Sequence, residues 1–465
     1  MRDNGPLKIG LAPIKRGTTR METALLQKQL ILQRMADITP ENVALVGIED
    51  VLPEGLLYCH DQVAAVEKAF KRAGVHALFL PHCDFGCEEV VGQLAKRMGV
   101  PVLIWGNRDP YPDYPGGKDR DTQCGTLAST KALQRYGVPF SYILNTDVED
   151  APLKRGFEDF CAVANVVRRF RGMRILLAGT RPQAFLSVIY NEDELLRRFG
   201  IEVYPWGSAA WLEAADRILA ERADEVTREM QAFARQVDVS DLTYERQRRQ
   251  AALVLALCEM AERHDIDGVA MECWSLLPER YGISGCQIVG QLCQRGLPCA
   301  CEGDVLGAVT AVMMQAAALD KEPVFFSDIT SRHPEQDNTE LLWHCGPYPP
   351  GLAHPDTPPK STFHGRGAFQ LKNGPITIAR LDAANGRYSL FSGEGRGVDG
   401  PPKKGNYVWL EVDCWADWEE KIVFGPYIHH VAGAYGQYSQ ILSEACKYLG
   451  GVSPDPMRPV KRVLG

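Results

Sequence analysis

The chain has 465 residues, 45% hydrophobic and 24% charged, with a formal net charge of -8 at pH 7. That composition belongs to a globular protein of about three domains and excludes a disordered or fibrous chain. No Lys/Arg cluster tracks a phosphate backbone and no apolar run reaches the roughly 18 residues of a membrane span, so neither nucleic acid nor membrane is an expected partner.

The opening "MRDNGPLKIGLAP" lacks the basic and apolar regions of an export signal. The 14 cysteines sit mostly inside apolar segments such as "VLALCEM" and read as reduced, buried thiols of a cytoplasmic protein.

Up to about residue 335, short apolar runs ("KIGLAP", "VALVGI", "ALFLPH", "PVLIWG", "FSYILN", "RILLAG", "IEVYPW", "GVAMECW", "PVFFSD") alternate with amphipathic stretches such as "DQVAAVEKAFKRAG". This predicts βαβ units and parallel sheets. The pattern restarts near residue 170, giving one α/β domain over 1–168 and a second over 169–335. Beyond it, Pro/Gly/His-rich turns and alternating strands ("PITIARL", "RYSLFSG", "NYVWLEV") predict a β domain over 336–465. The fold class is therefore α/β: two tandem Rossmann-like parallel-sheet domains followed by a mostly antiparallel C-terminal domain.

The strand-to-helix turns "KIGLAPIKRG" and "LLAGTRPQAF" lack G-x-G-x-x-G, and no P-loop occurs, which disfavours hydride and phosphoryl transfer. "HCDFGC" groups His82, Cys83 and Cys87 without a second ligand pair, and reads as a substrate-facing or packed loop rather than a zinc site. Chemistry in open α/β sheets sits at strand C-terminal ends. There the chain presents Glu272 and Glu279 after "GVAM" and Glu302 and Asp304 in "CACEGDVLG". Asp304 also suits a helix N-cap. Converging acids repel unless a cation sits among them, which points to a divalent metal. The β domain supplies histidines, two of them adjacent in "GPYIHHVAGAYG".

The order and spacing of "KIGLAP", "LLAGTRPQAF", "CACEGDVLGAV", "LLWHCG" and "HHVAGAYG" resemble the L-fucose isomerase/L-arabinose isomerase superfamily. The resemblance implies a metal-dependent aldose–ketose isomerase acting through a cis-enediol. It further implies a homo-oligomer, a hexamer or a trimer-based assembly, with active sites shared between subunits.

By the same resemblance, Glu279 (or, alternatively, Glu272) and Asp304 look like the acidic metal ligands and His430 like their histidine, with Glu279 and Asp304 also handling protons. The metal would be Mn²⁺, with Mg²⁺ and Co²⁺ as alternatives. Arg16, Asp84, Trp105, Glu302, His344 and His429 are expected to line the sugar, Glu302 by orienting a ligand or a hydroxyl. Loops such as "HCDFGCEE" and "IWGNRDPYPDYPGG" offer Asp84 and Trp105 to a neighbouring subunit. The substrate class extends to anionic sugars such as sulfoquinovose. The competing reading is a non-catalytic cytosolic sugar-binding or sensing protein.

Overall fold

The computed structural model describes residues 5–110 and 120–465, so part of the loop after Trp105 lies outside the described residues. The described chain forms two compact units, one running to Arg168 and taking in Lys461–Gly465, the other Arg169–Val460.

The first unit is a parallel sheet of six strands: β1 (Leu7–Leu11), β2 (Val43–Val46), β3 (Ala77–His82), β4 (Val102–Gly106), β5 (Ser141–Ile143) and the C-terminal β19 (Val463–Leu464), in the order β19-β5-β4-β3-β1-β2. β3 and β4 are buried at every residue, as central strands covered on both faces must be. Helix ends follow local chemistry. The helix His60–Ala73 starts where Gln62 Oε1 accepts the Cys59 N–H at 3.1 Å, and stops at Gly74, whose φ of 69° suits the left-handed C-cap.

The second unit begins with a parallel sheet of β6 (Arg174–Ala178), β7 (Glu202–Trp206), β8 (Gly268–Met271) and β9 (Cys299–Cys301), ordered β7-β6-β8-β9. The remaining strands are β10 (Phe325–Arg332), β11 (Thr339–His344), β12 (Lys360–Ser361), β13 (Gly367–Gln370), β14 (Gly374–Ala384), β15 (Arg387–Val398), β16 (Asn406–Glu411), β17 (His430–Tyr435) and β18 (Val452–Pro456). Six of them, in the order β16-β11-β10-β17-β14-β15, close on themselves because β15 also pairs with β16. This is an antiparallel barrel, and closure removes its sheet edges. The helix Val305–Ala317 is buried along its whole length, packing on β8 on one side and on β14 and β17 on the other. Thr310 Oγ1 ties it to the barrel by accepting the Leu381 N–H at 2.9 Å.

Two elements fall differently from the sequence reading. "PVFFSD" is barrel strand β10, pairing antiparallel with β11 and β17 rather than joining the parallel sheet. A buried apolar run reads the same in either setting, and only its partners decide. At the end of the chain, Val463–Leu464 pairs in parallel with β5, outside the β domain.

Candidate active site

The opening of the site is a turn. β9 ends at Cys301, and Glu302 (φ 64°) and Gly303 (φ 66°) both adopt the left-handed conformation, reversing the chain before the next helix. Such a conformation is costly for a residue with a Cβ, and it carries the Glu302 carboxylate out of the strand direction. Asp304 then caps the helix Val305–Ala317, its Oδ1 accepting the Gly307 N–H at 2.8 Å.

Asp304 is wholly buried, and both its oxygens are committed. Arg380, on β14 and itself buried, grips both oxygens, its Nη1 reaching Oδ2 and its Nη2 lying 3.3 Å from Oδ1. His430 Nδ1 lies 2.8 Å from Oδ2. Burial alone would raise the Asp304 pKa, but the Arg380 guanidinium, followed by His430, holds it well below the usual carboxylate range. An ionised carboxylate only accepts, so the His430 Nδ1 carries the hydrogen and its Nε2 faces the other way, as a lone pair in the neutral ring and as an N–H in the charged one; burial opposes the charged ring, but Asp304 and Glu302 push the His430 pKa up overall.

That nitrogen meets two carboxylates: Glu302 Oε2 lies 3.2 Å from His430 Nε2, and Asp328 Oδ1 lies 3.5 Å from it. Asp328 arrives there by register, since it sits directly opposite His430 across the β10–β17 pair. His430 Nε2 and Asp328 Oδ1 are buried and make no hydrogen bond among the described residues. Ligand atoms of Asp328, His429 and His430 lie within 4.8 Å of one another. Asp304, Glu302 and Asp328 concentrate negative charge around one imidazole, and carboxylate oxygens with imidazole nitrogens suit a Mn²⁺-class divalent ion. The residues present fit such an ion.

His344 ends β11 on the other side of Asp328, its Nε2 3.7 Å from Asp328 Oδ1. Its Nδ1 accepts the Cys345 N–H at 2.9 Å, so the Nε2 carries a hydrogen and is a donor to the site. Aromatic rings cover the cluster. Trp274 donates its indole N–H to Glu302 Oε1 at 2.8 Å, and Phe185 packs on Trp274, His429 and His430 with centroids 5.3–5.7 Å apart. The loop carrying Phe185 is held by Arg181, whose Nη1 donates to the carbonyls of Pro182, Gln183 and Phe185. A cavity of about 420 Å³ opens beside His429, lined by Ile329, Ile422, Tyr427 and Ile428, with Glu340 and Glu419 at its wall.

The sequence-expected residues therefore separate into groups. Glu302, Asp304, His344, His429 and His430 come together, with Asp304 behind His430 rather than beside its Nε2. Glu279 lies exposed on the helix Leu276–Tyr281 and makes none of the cluster's contacts among the described residues. Glu272 instead holds the turn after β6, its Oε2 accepting the Thr180 N–H at 3.1 Å and the Ser208 hydroxyl at 3.2 Å.

Arg16, Asp84 and Trp105 belong to the first unit. There Asp84 Oδ1 accepts the Arg16 and Gly86 N–H groups, both at 2.8 Å, and the Arg16 guanidinium sits 4.3 Å over the Phe85 ring. Trp105 is a wholly buried β4 residue, not an exposed loop aromatic. Asp328, Arg380, Trp274 and Phe185 were missed by sequence reasoning. The one signal available was the charge placed in otherwise apolar strands, "FFSDI" and "TIARL".

Residues 10–171 match the family described as fucose/sulfoquinovose isomerase, N-terminal domain, and residues 359–453 match L-fucose isomerase, C-terminal domain. The sulfoquinovose isomerase of Priestia aryabhattai is 22% identical over 446 residues, 94% of this chain and 96% of its own. That of Clostridium sp. (strain MSTE9) is 27% identical over 289 residues, 60% of this chain and 61% of its own. Among solved structures, an ABC-transporter solute-binding protein from Bacillus halodurans C-125 with bound myo-inositol covers 68% of this chain and 91% of its own, at 13% identity and a TM-score of 0.17, a likeness too slight to carry any inference. With both family domains matched in chain order and a relative aligned along nearly the full length, the chain belongs to the L-fucose isomerase-like superfamily of aldose–ketose isomerases.

Proposed function

We propose that the cluster of Glu302, Asp328, His344, His429 and His430 interconverts an aldose and its ketose through a cis-enediol, with a divalent cation of the Mn²⁺ class held by Asp328, His429 and His430. The observation that supports this most is the convergence of Asp328 Oδ1 and His430 Nε2, both buried and without a hydrogen bond among the described residues, beside the carboxylate oxygen Glu302 Oε2. A bound cation would polarise adjacent sugar oxygens as negative charge builds on them.

The chain's residues supply the rest. Glu302 Oε2 takes the proton from one sugar carbon and returns it to the next, while Trp274 fixes the other oxygen of that carboxylate. His344 Nε2–H donates to a sugar oxygen. Asp304, clamped by Arg380, holds the His430 ring so that its Nε2 faces inward. Phe185 and Trp274 shed water from the reacting carbons. A binder without chemistry requires no such convergence of acceptors.

The named relatives are sulfoquinovose isomerases, which supports a sulfonated sugar as one substrate class for this chain. Glu419, joined by Glu340 once it ionises, would repel a sulfonate from the cavity beside His429, so the anionic end of such a substrate points away from it. The test is metal analysis of the purified protein with a panel of neutral and anionic aldoses, products read by NMR. Turnover abolished by EDTA and restored by Mn²⁺ is expected. Full activity in metal-free protein would overturn the reading.

A further inference from the structure

Beside the site lies a group of thiols that the reaction does not use. Cys286, at the start of the helix Cys286–Gln294, and Cys345, just after β11, have their sulfurs 3.0 Å apart. A disulfide needs about 2.05 Å, so closing this pair takes little motion. Cys273 and Cys301 form a second, hydrogen-bonded pair nearby, but both are buried. Cys345 is the one thiol of the four that is partly exposed.

We propose that Cys286 and Cys345 are a redox-modification site, oxidised to a disulfide by a small-molecule disulfide of the glutathione class, and that this bond regulates the site proposed above. The Cys345 thiolate attacks one sulfur of the oxidant and releases one thiol. The Cys286 thiolate then attacks the mixed disulfide at the Cys345 sulfur and releases the second. The protein gives up two protons and two electrons, and one oxidant molecule becomes two thiols. Exposure sets the order, because the oxidant reaches Cys345 and not the buried Cys286.

The coupling to the site is geometric. Cys345 holds the His344 ring through its N–H, 2.9 Å from Nδ1, and through its sulfur, 3.3 Å from the same atom. Drawing Cys345 towards Cys286 shifts the support that aims His344 Nε2 at Asp328, and disturbing such support typically costs roughly 10–100-fold in activity or metal affinity. This second half rests on the proposed function; the cross-link does not.

The experiment incubates the protein, as purified, with oxidised glutathione and maps peptides by mass spectrometry without reduction. Activity and Mn²⁺ affinity are measured before oxidation, after it, and after dithiothreitol. The expected result is a Cys286–Cys345 cross-link with an activity loss of roughly 10-fold or more, reversed by dithiothreitol, and a Cys286→Ser variant that is active in the reduced state and on oxidation stops at a Cys345–glutathione mixed disulfide with no cross-link. Both thiols remaining open to alkylation after denaturation, or a bridge between Cys273 and Cys301 instead, would overturn the pair. A cross-link that leaves activity and affinity unchanged would overturn the regulation. If reduced protein neither binds Mn²⁺ nor isomerises any sugar, the functional reading fails, and the peptide map still decides the thiol pair.

Discussion

At the scale of single residues, the two acids of "CEGD" divide their work because one faces the acceptors and the other stands behind an imidazole. Glu302→Gln keeps the cation ligands and removes the proton carrier, so metal content should hold while solvent-deuterium incorporation into the sugar falls by roughly 100-fold or more. Asp328→Asn should do the reverse to the metal, losing it on dialysis. Asp304→Asn loosens the His430 ring, and Mn²⁺ affinity by calorimetry should drop roughly 10–100-fold. Arg380→Met leaves the Asp304 charge buried without its main partner and should also cost stability, seen as a lower melting temperature.

A separate acid carries a pH signature. Burial lifts the Glu340 carboxyl from 4.5 to about 7, with Arg332 opposing and Glu419 adding to the rise. Because the folded pKa lies above the unfolded one, its contribution is fully present below about 4.5 and is lost as pH rises through about 7. Glu340→Gln should therefore melt several degrees higher than the parent at pH 8 and show no such gain at pH 5, by calorimetric scans at both values.

Among the elements, the turn from β9 into the helix Val305–Ala317 sets the site. Two consecutive left-handed residues are needed to bring Glu302 and Asp304 to opposite sides of His430. A Cβ at Gly303 would stand 3.0 Å from the Arg181 backbone nitrogen as well as in a strained conformation. Gly303→Ala should cost about 1–3 kcal/mol in denaturant unfolding and lower activity more than stability alone explains. Gly307 shows the same economy of space, since a Cβ there would press to within 2.6 Å of Asp304 Oδ2. The barrel makes its own contribution through register: one residue of slip between β10 and β17 would turn Asp328 to the opposite face from His430.

Across the whole molecule, no helix among the described residues is long and apolar enough to cross a membrane. Large apolar side chains are nonetheless exposed, among them Leu186 at 66%, Trp274 at 51% and Phe424 at 85%. Light scattering is expected to show a multimer, in line with the hexamer or trimer-based assembly that the family resemblance implies. An active monomer would remove Asp84 from consideration as a residue lent to a neighbour's site.

The chain by itself determines the layered pattern, because apolar period and turn chemistry are local properties. The two parallel-sheet patterns, the antiparallel texture at the end, the acids after β9 and the adjacent histidines are all legible in the sequence. Partner choice is different in kind. Whether "PVFFSD" joins a parallel sheet or a barrel depends on which strands it meets, and Asp328 enters the site only because barrel closure sets it opposite His430. Whether Asp304 faces a cation or supports an imidazole depends on Arg380, which reaches it from a distant strand. Glu279 is exposed while Asp304 is wholly buried, and a buried charge is defined by the groups that surround it in space.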